Sequence, residues 1–123
     1  MPTKRLGYKG GFMTTKIEKP WGFETLIECN DKYAVKLLHV NKGCRLSLQY
    51  HNKKHETMYI LRGYASIEIN NSSEVFGPGE DVVILPKKTH RVTALKNTVI
   101  FEVSTPELDD IIRLEDDYGR VNK

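Results

Sequence analysis

The chain has 123 residues, with 19 basic and 16 acidic side chains and a net charge of +3. That length makes one domain, able to bury roughly two thirds of its unfolded surface. The charge is too small and too evenly mixed to point to nucleic acid, and no apolar run approaches the roughly 20 residues that cross a bilayer. Cys29 and Cys44 form neither a zinc pattern nor a disulfide framework, and no signal-peptide pattern opens the chain, so a reducing, cytoplasmic setting is the default.

Residues 1–16 are rich in Gly and Lys without a sustained period and read as a flexible arm. Met13 is a second possible start, and an edge strand given to a partner subunit is the alternative reading of the arm. The domain, 17–123, opens at Lys19-Pro20-Trp21-Gly22. Phe23 to Ile27 and Tyr33 to Val40 then form a hairpin around Asn30-Asp31. His39 in the second strand is expected to be a packed residue rather than a ligand.

After the stretch 43–63, strands are expected over Ala65 to Ile69, Val82 to Leu85, His90 to Leu95 and Val99 to Val103. Turns fall at 70–73, at Gly77-Pro78-Gly79 and at Lys96-Asn97. The tail from Asp109 to Arg120 suggests a short helix or a strand that closes the barrel. About nine short, regularly punctuated strands with no helical period before residue 106 predict a small all-β barrel or sandwich.

The stretch from Gly43 to Gly63 carries the chemistry. Arg45, Ser47, Gln49 and His51 alternate with Leu46, Leu48 and Tyr50, so period two puts the polar set on one strand face. Glu56 follows at the start of the next apolar run, Thr57 to Leu61. If the two strands are antiparallel neighbours, an amide oxygen, an imidazole and a carboxylate converge as a mixed N/O site for a divalent ion, with a fourth ligand needed to close it. Arg45 shares that face about 13 Å from Gln49 at about 3.3 Å per residue. It is therefore expected at the far end of the ligand, as a substrate-binding and catalytic cation, against the alternative of an ion-paired Arg at the barrel mouth. Glu102, a carboxylate inside the apolar run Ile100 to Val103, is the candidate general base.

The spacing Gly43, five residues, Gln49, one residue, His51, four residues, Glu56, six residues, Gly63 resembles the first cupin motif, with Gln in place of its first His. Gly79, Pro86 and His90 resemble the second motif, with Pro86 one place late and Lys87-Lys88 where the motif has Gly. Pro20-Trp21-Gly22, the run Arg45 to Gln49 and the tail around Arg113 are similar to the cupin domain of type II mannose-6-phosphate isomerases. In those proteins the cupin accompanies a guanylyltransferase domain that 123 residues do not hold.

This resemblance implies a cupin-type jelly roll with Gln49, His51, Glu56 and His90 as metal ligands. Zinc is the expected ion, and cobalt, manganese or iron suit the same donors. It places Lys54 and Arg113 as cations for a substrate phosphate, and it implies a small-molecule sugar phosphate as partner, with no membrane. The expected activity is interconversion of mannose 6-phosphate and fructose 6-phosphate through an enediol. A non-catalytic sugar- or metabolite-binding cupin and an iron-dependent dioxygenase are the alternatives, since fold alone carries no activity. A homodimer is expected, because pairing covers exposed strand edges.

Overall fold

A computed structural model describes residues 15–121. Eleven strands follow in order: β1 (Thr15–Lys19), β2 (Gly22–Cys29), β3 (Ala34–Val40), β4 (Leu48–Tyr50), β5 (Glu56–Arg62), β6 (Ala65–Ile69), β7 (Ser72–Phe76), β8 (Asp81–Ile84), β9 (His90–Ala94), β10 (Thr98–Ser104) and β11 (Ile112–Glu115). Among the described residues there is no helix, and so none long and apolar enough to cross a membrane.

All strand pairs are antiparallel. A six-stranded sheet runs β1-β2-β3-β10-β5-β8, and a five-stranded sheet runs β11-β4-β9-β6-β7. The two face each other as the barrel that the punctuated sequence predicts, in the jelly-roll form that the resemblance implies. Alternation builds the interior: Met58 and Ile60 of β5, Ile67 of β6, Ile84 of β8, Val92 of β9 and Ile100 of β10 are all buried. β-Branched side chains at every second position suit a pleat whose one face is dry. Asn70 and Asn71, at φ 48° and 71°, make the two-residue β6–β7 turn, in which both central residues take the left-handed conformation. Gly63 turns the chain from β5 into β6 at φ 86°, where a Cβ would lie 2.4 Å from the Asn97 carbonyl oxygen, so only glycine fits.

Several sequence expectations change. Thr15 and Lys16 belong to β1, which pairs with β2 from Thr15↔Leu26 to Lys19↔Gly22; residues 1–14, the rest of the expected arm, lie outside the described residues. Ser72 and Ser73 are strand rather than turn, because the two asparagines complete the reversal alone. The tail is a strand, β11, paired with β4. His39 stacks its ring 4.2 Å from that of Phe23, a packed residue as expected.

The larger correction concerns β4 and β5. They are not neighbours: β4 pairs with β9 and β11, while β5 pairs with β10 and β8. The side chains expected to meet across one ladder meet instead across the gap between the sheets.

Candidate metal centre and cavity

The polar face of the β4 region enters the interior only after Arg45. Leu46 and Ser47 are both buried, at 7% and 1% exposure, so the alternation breaks between them and regular strand begins at Leu48. Gln49 and His51 then point inward. Across the gap, β5 begins with Glu56 in phase with Met58 and Ile60, and β9 begins with His90, the register partner of Gln49.

Nε2 of His90 lies 3.2 Å from Oε2 of Glu56, and Nε2 of His51 lies 3.5 Å from the same oxygen. Donor atoms of His51, Glu56 and His90 all lie within 4.8 Å of one another, and all three side chains are buried. Each imidazole uses its other nitrogen outside the cluster. Nδ1 of His51 is 2.5 Å from the Asp110 carbonyl oxygen, and Nδ1 of His90 is 2.9 Å from that of Lys88. A backbone carbonyl accepts only from N–H, which assigns the proton to Nδ1 and leaves both Nε2 lone pairs facing a carboxylate oxygen that has no hydrogen-bond partner. Three lone-pair atoms turned toward one another in a buried space fit a cation between them. Gln49 donates its amide nitrogen to the Ser47 carbonyl at 3.5 Å, which leaves its oxygen as the atom it offers. Burial acts to raise the Glu56 carboxyl; donation from His51 and His90, when a proton rather than a cation occupies the space between them, and the Lys54 charge outweigh it and hold it well below the usual carboxylate range.

The cluster opens onto a cavity of about 280 Å³ that both sheets and the tail line. Lys54 is buried there between two carboxylates, with Nζ 3.2 Å from Glu56 Oε1 and 3.2 Å from Glu102 Oε2. Burial would lower its pKa; Glu102 and Glu56 reverse the sign and raise it, so Lys54 stays charged. Glu102 is shifted upward, by burial first and by the Glu56 charge second, against Lys54 and Lys36. Arg113 of β11 also lines the cavity, and its Nε is buried with no hydrogen-bond partner. Among the described residues it forms no ion pair. Burial and the neighbouring Arg120 both lower its pKa, opposed by Asp116.

Arg45 requires correction. Its guanidinium is exposed, turned away from the cavity and bound to Asp117 at 2.6 and 2.9 Å. The break of alternation at Leu46-Ser47 reverses the side on which it emerges, so it fastens the tail, as the ion-paired alternative expects, and is not among the residues that line the cavity. Sequence reasoning also passed over Glu24 and Lys36, both of which line the cavity. Their signal was available: in β3, Lys36 shares the phase of the buried Leu38 and Val40.

A family model described as mannose-6-phosphate isomerase C-terminal matches residues 9–116. Mannose-1-phosphate guanylyltransferase ManC of Salmonella typhimurium is 33% identical over 117 residues, 89% of this chain and 24% of that protein. Alginate biosynthesis protein AlgA of Pseudomonas aeruginosa is 29% identical over 110 residues, 85% of this chain and 23% of that protein. The chain thus spans about a quarter of the length of these curated relatives.

Among solved structures, an RmlC-like cupin from Shewanella frigidimarina superposes with a TM-score of 0.72 at 12% identity, over 86% of this chain and 96% of that one. Oxalate decarboxylase from Bacillus subtilis does so with a TM-score of 0.69 at 17% identity, over 82% of this chain and 30% of that one. At such identities the likeness shows the fold, a cupin jelly roll, and nothing of the reaction.

Proposed function

The chain belongs to the mannose-6-phosphate isomerase C-terminal family, and on that premise we propose that its cavity isomerises a sugar phosphate, with mannose 6-phosphate and fructose 6-phosphate as the pair. One observation carries the reading: a metal-type triad, a buried carboxylate outside that triad and a guanidinium without a carboxylate partner all open onto the same cavity.

The requirements of the reaction match these groups. An aldose becomes a ketose when a base moves the proton on C2 to C1 and a hydroxyl proton passes from O2 to O1. Glu102 is that base in this reading, a carboxylate raised toward neutrality by burial and by Glu56. Lys54, held between Glu102 and Glu56, donates to the oxygen on which negative charge grows. Arg113 grips the phosphate, with Arg120 beside it, and both come from the tail. The cavity matches an anion as a whole: Lys19, Lys36, Lys54, Arg113 and Arg120 line it against Glu24, Glu56, Glu102 and Asp109.

His51, His90, Glu56 and Gln49 are the residues that would hold a divalent ion, zinc in our reading, whose charge would polarise the sugar oxygens. The test is a coupled assay of metal-replete protein with mannose 6-phosphate, repeated on His51→Ala. Turnover that disappears in the variant supports the reading. Saturable sugar-phosphate binding without turnover in the wild type would make the chain a binding module instead.

A further inference from the structure

Glu24 and Lys36 line the cavity but take no part in the proton transfer or the phosphate grip above. Glu24 of β2 and Lys36 of β3 face the interior, with side chains only 11% and 13% exposed. Register places them: Lys36 is the partner of Glu102 on β10, and Glu24 is the partner of Leu38, one inward step along β3 from Lys36. A pair that serves only the fold closes to hydrogen-bond distance, as Arg45 and Asp117 do at 2.6 and 2.9 Å.

Glu24 and Lys36 stay open. Lys36 Nζ stands 3.4 Å from Glu24 Oε2 and 4.0 Å from Glu102 Oε2, while Lys19 Nζ is 3.8 Å from Glu24 Oε1. Lys36 therefore makes one long hydrogen bond with three donors, and Glu24 accepts one where a carboxylate takes several. Burying two charges costs more than loose pairing returns. The pair keeps hydrogen-bonding capacity that the fold does not use, and it faces a cavity whose neighbouring wall is apolar, formed by Trp21, Leu38 and Leu46.

We propose that Glu24 and Lys36 form a hydroxyl-binding subsite for the middle carbons of a polyhydroxylated phosphate. The inference rests on the sugar-phosphate reading of the cavity and adds what selects among phosphates. A carboxylate beside an ammonium matches a vicinal diol, because one hydroxyl donates to Glu24 while its neighbour accepts from Lys36. Glu102 lies between this pair and Lys54, so a sugar whose reacting carbons face Glu102 runs its next carbons past Lys36 and Glu24. Apolar side chains beside them suit the C–H face of the same carbons.

The experiment is calorimetric binding to the metal-loaded full chain, with mannose 6-phosphate and inorganic phosphate as probes. Wild type is compared with Glu24→Gln, Lys36→Met and the charge-balanced double variant, which keeps the test open if either single change unfolds the protein. The expected result is affinity for the hexose phosphate lowered tenfold or more, the scale of a lost hydrogen bond to a charged group. Affinity for inorganic phosphate should fall clearly less than that, and metal content should hold, since Arg113 grips the phosphate and the triad is unchanged. Equal loss for both probes makes the pair an electrostatic prop and overturns the subsite. Unchanged hexose-phosphate binding in the variants overturns it as well, while leaving the sugar-phosphate reading intact. A wild type that binds no hexose phosphate overturns both.

Discussion

Lys87 occupies a left-handed conformation, φ 70°, in the turn that leads to His90. Its backbone N–H donates to the His51 carbonyl at 2.6 Å, so the turn before one imidazole is tied to the residue bearing the other. The position needs a backbone shape that glycine takes freely and that costs an L side chain roughly 1–2 kcal/mol. Lys87→Gly removes that strain but adds about 0.5–1 kcal/mol of unfolded-chain entropy. The net expectation is a gain of about 0.5 kcal/mol, seen as a rise of roughly 2–4 °C in Tm, with metal affinity unchanged. A lower Tm would show that the Lys87 side chain makes a compensating contact. At Glu102 the prediction concerns rate. In the proposed reaction the ionised form is the base, and burial with the Glu56 charge raises its pKa above the ordinary 4.5. Activity should therefore rise with pH along an acid limb whose midpoint lies above that value. Glu102→Gln should lower kcat by about 10²–10⁴-fold with metal content intact. A full rate in the variant would remove Glu102 from the chemistry.

The tail from Thr105 onward is the element that completes the site, and polar contacts fasten it. The Asp110 carboxylate accepts from the backbone N–H groups of Asn52, Lys53 and Lys54 at 2.9, 2.6 and 2.9 Å, while its carbonyl faces His51. Asp117 holds Arg45 and Arg91, and Asp116 holds Arg120. All three acids titrate below the ordinary Asp value of 3.8: Asp110 through its backbone donors, Asp117 through Arg45, and Asp116 through Arg120 down to about 2. A depressed carboxyl contributes its full stability above the unfolded value and loses it as pH falls through the folded one. Between about pH 4 and pH 2 the tail should release before the apolar core. Amide exchange across residues 106–120 should accelerate over that window while Ile60 and Ile100 remain protected; simultaneous loss of both would refute the ranking. The same residues show how far the sequence could be read. Gln49, His51 and Glu56 were legible because a motif fixes their spacing, and Glu102 because a carboxylate in an apolar run stands out. Arg45 was misplaced because period two was extended through Leu46 and Ser47, where the strand is irregular. Asp110 left no local trace, since its partners lie 56–59 residues away.

At the scale of the whole molecule, the cluster joins the two sheets. Glu56 stands on the six-stranded sheet; His90 and Gln49 belong to the five-stranded one, and His51 directly follows its strand β4. The apolar core packs through Ile60, Ile67, Ile84 and Ile100 without any of these residues. Core and cluster therefore make separate contributions to the same closure. The core alone should hold the sandwich together, and an ion bound across the gap should add its binding free energy to the stability of the folded form only. At a free ion concentration 100 times the Kd, that addition is about 2.7 kcal/mol. For a domain of this size it corresponds to roughly 10 °C in Tm. Chelation is thus expected to lower Tm by that amount while leaving a cooperative transition and the β-sheet circular-dichroism signal in place. Glu56→Gln weakens the six-stranded sheet's hold on the ion, so its Tm should respond far less to chelator than that of the wild type. A Tm indifferent to chelator in the metal-loaded wild type would mean that the triad does not bridge the sheets through an ion. Collapse of the fold on chelation would mean that the isoleucine core is insufficient without it.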